Sequence, residues 1–335
     1  MEQRKDILSI GACSLVLALI LRVVCAGGIP DLQSSPLLSL LVYLQTGRVV
    51  HLPVTPAPSI PQSTQPAATF PTMPEATPGI TLNAEDAAAV EIYDLVDYQP
   101  NTEALLLSPL SWNLKSGQPT VLIVHTHATE SYTKQPHQLY QEDSDYRTLN
   151  ADYNMISIGD ALKQTLEAGG VHVLHDKTLH DYPSYGDSYD RTRQTIAAYL
   201  EAYPSITMVI DLHRDALDFD QEPQLTTLAS VNGQKAAQLM LVAGTDVSLD
   251  YPDWQQQLSV GVKLMAVLEK MYPGITRPAQ LRPARFNLDM TPGSLLVEVG
   301  ANGNTHAEAI LAAQTLGEAI LLMSQGVNLQ NAPPL

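Results

Sequence analysis

The sequence predicts an α/β fold with a mostly parallel sheet and helices on both faces. Short aliphatic runs predict strands at 121–126, 171–174, 206–212, 238–243 and 294–299. Longer periodic patterns between these runs predict helices at 154–168, 190–202, 253–271 and 305–325. Strands rich in Val, Ile and Leu that alternate with helices of this length are typical of a parallel sheet buried on both faces.

The N-terminal segment predicts a membrane anchor. Residues 7–29 are almost entirely apolar and are interrupted by Arg22, whose side chain can reach the membrane interface. About 20 apolar residues form a helix long enough to span a bilayer. Arg4 and Lys5 favour a cytoplasmic N-terminus, so we expect a single-pass protein of the cell membrane with an extracytoplasmic catalytic domain. The alternative is a cleaved signal peptide, because residues 24–26 loosely fit a small-residue cleavage site.

A proline-rich segment separates this anchor from the rest of the chain. Residues 52–78 contain eight prolines among Ser, Thr, Ala and Gln. Such a segment cannot bury a core and predicts an extended tether. The predicted organisation is a cytoplasmic tip and transmembrane anchor at 1–29, an extracytoplasmic linker at 30–82, a lead-in at 83–117, the catalytic α/β domain at 118–326 and a tail at 327–335.

The net charge limits the partners that we expect for the chain, and the cysteine positions limit its disulfide bonds. The formal net charge of the 335 residues is −17, and no dense cluster of Lys and Arg offsets it. We therefore expect no nucleic-acid partner, because a phosphate backbone repels an acidic surface. The two cysteines, Cys13 and Cys25, both lie in the N-terminal apolar segment, so the rest of the chain can form no disulfide.

Metal-ligand side chains follow two of the predicted strands. His127 and Glu130 form an H-x-x-E spacing just after the apolar run 121–124, and His213 ends the strand at 206–212. The carboxyl ends of parallel strands meet at one edge of a sheet, where α/β enzymes build their sites. Two histidines and one glutamate with an open fourth position form a catalytic zinc pattern, in which Zn²⁺ activates water and polarises a carbonyl. We therefore predict that His127, Glu130 and His213 bind Zn²⁺.

Glu298 is a carboxylate within the apolar strand at 294–299. A buried, unpaired charge is unfavourable, so such a residue normally has a partner or a chemical role. We expect Glu298 to be the catalytic general base, which takes a proton from the attacking water and returns it to the leaving nitrogen.

His125 leaves the ligand assignment open. Residues two apart in a strand point to one face, so His125 and His127 can both face the site. The spacing to Glu130 favours His127 as the ligand. In that case His125 can hydrogen-bond a ligand or the substrate.

Arg214 and Asn302 have two interpretations each. Arg214 either binds a substrate carboxylate with two hydrogen bonds or pairs with its neighbour Asp215. Asn302 follows Glu298 closely enough to line the cleft, but glycine-rich turns also favour Asn for backbone reasons.

Five segments resemble the stage II sporulation protein P family. They lie in order within residues 118–325, at 123–132, 175–185, 211–216, 271–278 and 298–305. The resemblance implies a membrane-anchored peptidoglycan hydrolase that cleaves the amide between N-acetylmuramic acid and L-Ala, and also peptide cross-links, during forespore engulfment. It implies two protein partners, stage II sporulation proteins D and M.

The layout is also similar to that of zinc-dependent cell-wall amidases and metallocarboxypeptidases. By that resemblance His127, Glu130 and His213 are the zinc ligands and Glu298 is the catalytic carboxylate. Two other functions remain open. An exported zinc metallopeptidase that acts on protein tails is compatible with the H-x-x-E spacing, and a non-catalytic wall-binding scaffold is compatible with the anchor and tether.

Overall fold

The computed structural model describes residues 79–110, 113–140, 146–217 and 224–330. The predicted membrane anchor and most of the predicted linker lie outside the described residues. The strands are β1 (Ile80–Leu82), β2 (Ile92–Asp94), β3 (Val121–Val124), β4 (Val173–His175), β5 (Met208–Asp215), β6 (Leu228–Val231), β7 (Gln234–Ala237), β8 (Leu239–Gly244), β9 (Ala279–Arg282), β10 (Leu295–Ala301) and β11 (Val327–Leu329). The α-helices are α1 (Thr102–Leu107), α2 (Met155–Ala168), α3 (Ser188–Ala202), α4 (Trp254–Met271) and α5 (His306–Ser324), and two 3₁₀ helices span Ala84–Ala89 and Leu288–Met290.

The central sheet has seven strands in the order β2-β9-β8-β10-β5-β3-β4. Every neighbouring pair is parallel except β8 and β10, which are antiparallel. All four residues of β3 are buried. Because successive strand residues point to opposite faces, both faces of this strand are covered. The predicted α/β fold with a mostly parallel sheet is confirmed.

Local sequence signals set the limits of the long helices. The side chain of Asn154 accepts a hydrogen bond from the backbone N–H of Ile156 and so caps the start of α2, which ends at Gly169. Thr305 and Glu308 form a reciprocal capping box at the start of α5. In the described part of the chain, α5 is the one helix long and apolar enough to cross a membrane. Its apolar residues Ala309, Leu316 and Ile320 are buried in the core, which identifies α5 as a core helix.

The predicted lead-in and tail supply elements that the sequence did not reveal. Within the lead-in, β2 pairs with β9 at the edge of the sheet, in the register Ile92↔Ala279. Within the tail, β11 pairs with β1 in a separate two-stranded sheet. The antiparallel hairpin of β6 and β7 was also not predicted. These strands have three or four residues each, too short for a clear period of two.

A buried lysine joins α1 of the lead-in to α4. Lys263 is 0% exposed, and its Nζ donates hydrogen bonds to the carbonyl oxygen of Leu105 (2.8 Å) and to the Oγ atoms of Ser108 (3.1 Å) and Ser259 (2.8 Å). Burial lowers the pKa of Lys263 to about 8. Its usual pKa is 10.5, so between these two values the unfolded chain holds more protons than the folded one.

We therefore expect the free energy of unfolding to rise with pH between about 8 and 10.5 relative to that of a Lys263→Met variant, by up to about 3 kcal/mol. Urea titrations of both proteins across this range measure the difference. Lys270→Met at an exposed position of the same helix is the control. A pH-independent difference between wild type and Lys263→Met would contradict the expectation.

Candidate active site

The predicted ligands and the predicted base follow three strands that are neighbours in the sheet. His127 and Glu130 lie just after β3, His213 lies in β5, and Glu298 lies in β10 opposite His213 in the parallel register. His127, Glu130 and His213 are 6%, 5% and 3% exposed. The fold therefore brings the four side chains to one edge of the sheet, as the sequence predicts.

Within this group His213 lies near both Glu130 and His127. His213 Nδ1 lies 3.9 Å from Glu130 Oε2. The rings of His127 and His213 are perpendicular, with centroids 5.2 Å apart. Among the described residues, no group of three or more His, Cys, Asp or Glu side chains meets the geometry of a metal site. The zinc assignment therefore remains a prediction.

Asp211 supports His213 from the side opposite Glu130. His213 Nε2 lies 3.0 Å from Asp211 Oδ1. The carboxylate of Asp211 in turn accepts hydrogen bonds from Thr126, at 2.8 Å from its backbone nitrogen and 2.6 Å from its Oγ1. A carboxylate behind an imidazole orients the ring and makes its other nitrogen a better ligand. Sequence reasoning missed Asp211, although Asp-Leu-His in a strand places the two polar side chains on one face.

Buried carboxylates dominate the electrostatics around His213. Burial lowers the pKa of His213, but the negative charges of Asp211, Glu298 and Glu130 outweigh it and raise this pKa to about 10. Burial raises the pKa of Glu298 to about 8, and the charges of Glu130 and Asp215 add to this increase against the opposing effect of His213. The buried carboxyl groups of the site thus favour a positive charge on His213.

Glu298 has a carboxylate oxygen that is available for chemistry. Its Oε2 is buried and has no hydrogen-bond partner within the described part of the chain. Buried polar atoms are nearly always paired, so an unpaired one calls for a functional explanation. Glu130 differs, because its Oε1 lies 3.3 Å from Arg147 Nη2 and its Oε2 accepts a hydrogen bond from the backbone N–H of Arg214 (3.1 Å).

The His125 side chain contacts His175 and the backbone of Leu212, not the predicted zinc ligands. It is fully buried, with Nε2 2.8 Å from His175 Nε2 and Nδ1 3.3 Å from the carbonyl oxygen of Leu212. Both ring nitrogens therefore contact groups outside the predicted ligand set. The strand β3 ends at Val124, so the alternation that would place His125 beside His127 no longer applies there. A Cβ atom on Gly159 would lie 2.7 Å from His125 Nε2, so α2 accommodates this ring only with glycine at that position.

Arg214 and Asn302 mainly hold loops together. Arg214 is 3% exposed, and it donates hydrogen bonds from Nε to the carbonyl oxygen of Ser131 (3.0 Å) and from Nη2 to that of Tyr146 (3.1 Å). Arg214 Nη1 lies 4.0 Å from Glu130 Oε1, and Asp215 Oδ2 lies 2.8 Å from Arg277 Nη1. Asn302 Oδ1 accepts a hydrogen bond from the backbone N–H of Leu217 (2.7 Å), which agrees with its backbone interpretation.

Two tyrosines that the sequence reasoning did not single out surround the histidines. The Tyr185 ring stacks on His127, with centroids 4.4 Å apart and an angle of 11° between the planes. The Tyr189 ring is nearly parallel to that of His213 at 6.3 Å. Burial raises the pKa of Tyr189, so this side chain is neutral. The density of Tyr in residues 182–189 was the available sequence signal.

The sequence profile of stage II sporulation protein P matches residues 71–321. No curated protein matches this chain. Solved structures with a similar fold include the CwlD amidase of Clostridioides difficile in complex with the GerS lipoprotein, which is 13% identical, covers 61% of this chain and 95% of its own, and has a TM-score of 0.35. They also include the apo form of the N-acetylmuramyl-L-alanine amidase Ami1 of Mycobacterium abscessus, at 12% identity, 61% and 95% coverage and a TM-score of 0.35. An N-acetylmuramoyl-L-alanine amidase of Clostridium difficile 630 has 14% identity, 62% and 94% coverage and a TM-score of 0.35.

Proposed function

Because the chain belongs to the stage II sporulation protein P family, we propose that it is a peptidoglycan hydrolase of sporulation that cleaves the amide between N-acetylmuramic acid and L-Ala. The observation that carries this proposal is the convergence of His127, Glu130 and His213 beside Glu298, whose Oε2 is buried and has no hydrogen-bond partner among the described residues. A wall-binding scaffold would gain nothing from such a carboxylate, whose burial lowers stability.

We propose that His127, Glu130 and His213 hold Zn²⁺. Two observations support the fit: the approach of His213 Nδ1 to Glu130 and the contact of His213 Nε2 with Asp211. Burial, with a contribution from His213, lowers the pKa of His127 to about 4, so this imidazole is neutral and keeps a lone pair for a metal. His213, whose pKa is about 10, would release a proton when it binds the metal. When bound, zinc would polarise the scissile carbonyl and make water a stronger nucleophile.

Glu298 would carry the proton in this reaction. Its pKa of about 8 lies close to neutrality, so the group can both accept a proton from the attacking water and donate it to the leaving nitrogen. Its position supports this role, because Glu298 lies opposite the proposed ligand His213 in the register of the parallel pair β10 and β5.

The cellular setting is also a proposal. The apolar residues 7–29 and the proline-rich residues 52–78 support a single-pass membrane anchor and a tether to an extracytoplasmic domain. Peptidoglycan would be the main partner, and stage II sporulation proteins D and M would be protein partners. Cleavage of peptide cross-links would be a second activity of the same site.

Synthetic substrates test the reaction class. We expect the full-length protein to release L-Ala-terminated peptide from an N-acetylmuramoyl-peptide and to leave an N-acetylated peptide of the same sequence intact. Labelling of new amino termini measures both reactions. Cleavage of the acetylated peptide alone would favour an exported metallopeptidase, and cleavage of neither would favour the scaffold.

A further inference from the structure

The loop between β4 and α3 carries two exposed aromatic side chains, of which Tyr185 contacts a histidine of the site. Tyr182 and Tyr185 are 54% and 59% exposed. Loops at the carboxyl ends of parallel strands carry binding residues, and exposed aromatic surface beside a polar cleft is typical of a ligand-binding wall. Of the two, only Tyr185 stacks on a predicted zinc ligand, His127, within the described residues.

Hydrogen bonds anchor the loop just before Tyr185. The carboxylate of Asp181 accepts hydrogen bonds from Thr129 Oγ1 (2.6 Å) and Arg147 Nη1 (2.7 Å). Arg191 of α3 donates hydrogen bonds to the carbonyl oxygens of His180 and Ser184, both at 2.6 Å. The backbone that leads to Tyr185 is therefore fixed before any substrate binds, which reduces the entropy lost on binding.

The charge near Tyr185 selects the part of the substrate that would bind there. The guanidinium carbon of Arg147 lies 4.9 Å from the Tyr185 ring centroid, but two carboxylates, Asp181 and Glu130, already neutralise that cation. The stem peptide of peptidoglycan carries carboxylates, and the guanidinium group over the Tyr185 ring already has two carboxylate partners. An uncharged sugar ring, which presents a face of C–H groups, fits a flat aromatic surface better.

The order of the strands places a basic side chain on the other side of the site from Tyr185, where the stem peptide of the substrate would lie. The loop with Tyr185 follows β4, whereas Arg277 lies beside β8, because its backbone N–H donates a hydrogen bond to the carbonyl oxygen of Leu239 (2.8 Å). The strands of Glu298 and His213 lie between β8 and β4 in the sheet. A substrate that crosses the site therefore meets an aromatic ring at one end and, at the other, the basic side chain of Arg277, whose Nη1 lies 2.8 Å from Asp215 Oδ2.

We propose that Tyr185 binds the N-acetylmuramic acid ring by stacking and so determines the preference of the site for amides attached to a sugar. This inference rests on the proposed amidase function. It predicts that Tyr185 contributes to recognition of the sugar and has little effect on the chemistry of the amide.

Two substrates with the same amide separate these effects: an N-acetylmuramoyl-peptide and the lactoyl-peptide that lacks the sugar ring. We expect Tyr185→Ala to lower kcat/KM on the muramoyl substrate about 10-fold and to leave kcat/KM on the lactoyl substrate within about 2-fold of wild type. Tyr185→Phe and Tyr185→Trp should keep the preference, because they keep the flat ring. Tyr182→Ala is the matched control, since Tyr182 is exposed in the same loop without stacking on His127.

Binding measurements keep the test independent of turnover. Calorimetry compares the binding of the muramoyl-peptide to the Glu298→Gln variant and to the Glu298→Gln, Tyr185→Ala double variant. We expect the affinity of the double variant to be about 10-fold weaker. The zinc content of the two variants should be equal. Equal losses on both substrates, or no loss on either, would overturn the role of Tyr185. Failure of the wild type to hydrolyse either amide would contradict the proposed function, and the calorimetric comparison would still decide whether Tyr185 recognises the sugar.

Discussion

Glu298→Gln is expected to lower kcat on an N-acetylmuramoyl-peptide by about 10²- to 10⁴-fold. Glutamine has nearly the same shape as glutamate but cannot accept the proton of the attacking water. Because Glu298 lies outside the predicted ligand set, KM and zinc content should stay close to those of wild type. Glu298 Oε2 is buried without a hydrogen-bond partner within the described residues, so the neutral variant should unfold at the same temperature as wild type or at a higher one.

Steady-state kinetics, metal analysis and thermal unfolding of the same preparation check this expectation. Glu201→Gln, at an exposed position near the end of α3, is the matched control and should keep full activity. Full activity of Glu298→Gln would show that another group moves the proton. Loss of zinc in that variant would instead make Glu298 a ligand.

Asp211→Asn should weaken zinc binding about 10- to 100-fold. The charge of Asp211 supports His213, whose Nε2 lies 3.0 Å away, and the amide of asparagine removes that charge. Both hydrogen bonds from Thr126 to Asp211 also lose a charged acceptor, and one of them loses its acceptor altogether, because the amide NH2 group of asparagine can only donate. Activity should fall at limiting zinc and recover substantially when zinc is in excess.

Competition with a metal-binding dye measures the affinity, and activity at two zinc concentrations measures the recovery. Asp190→Asn, at an exposed position in α3, is the control for the loss of one carboxylate. Unchanged zinc affinity in Asp211→Asn would mean that His213 needs no support from this carboxylate.

The elements with strong local signals could be predicted from the sequence. The apolar run of β3 and the helix α2, which ends at Gly169, lie where the patterns place them. The strands β2 and β9 could not be predicted, since both are short and of mixed polarity and are defined by their pairing across a long separation in sequence. The hairpin of β6 and β7 did have a signal, because Asn232-Gly233 with positive φ at both residues is the preferred two-residue turn.

The candidate site likewise contains residues whose positions could be predicted from the sequence and one whose position could not. The spacing of His127 and Glu130, and the strand ends that carry His213 and Glu298, were sufficient to place these residues at one edge. The role of Asp211 depends on a contact within a strand and was readable from its spacing to His213. The position of Tyr185 depends on how a loop folds back over His127, and no local pattern in the sequence specifies that path.

Mass spectrometry of the fragments that the full-length protein releases from purified sacculi tests the central claim most directly. The account predicts stem peptides with a free L-Ala amino terminus and glycan strands with unsubstituted N-acetylmuramic acid, and it predicts that a zinc chelator abolishes their release until zinc is restored. Release of the same fragments in the presence of the chelator would contradict the zinc site formed by His127, Glu130 and His213. Fragments in which every L-Ala stays attached to the sugar would contradict the amidase assignment.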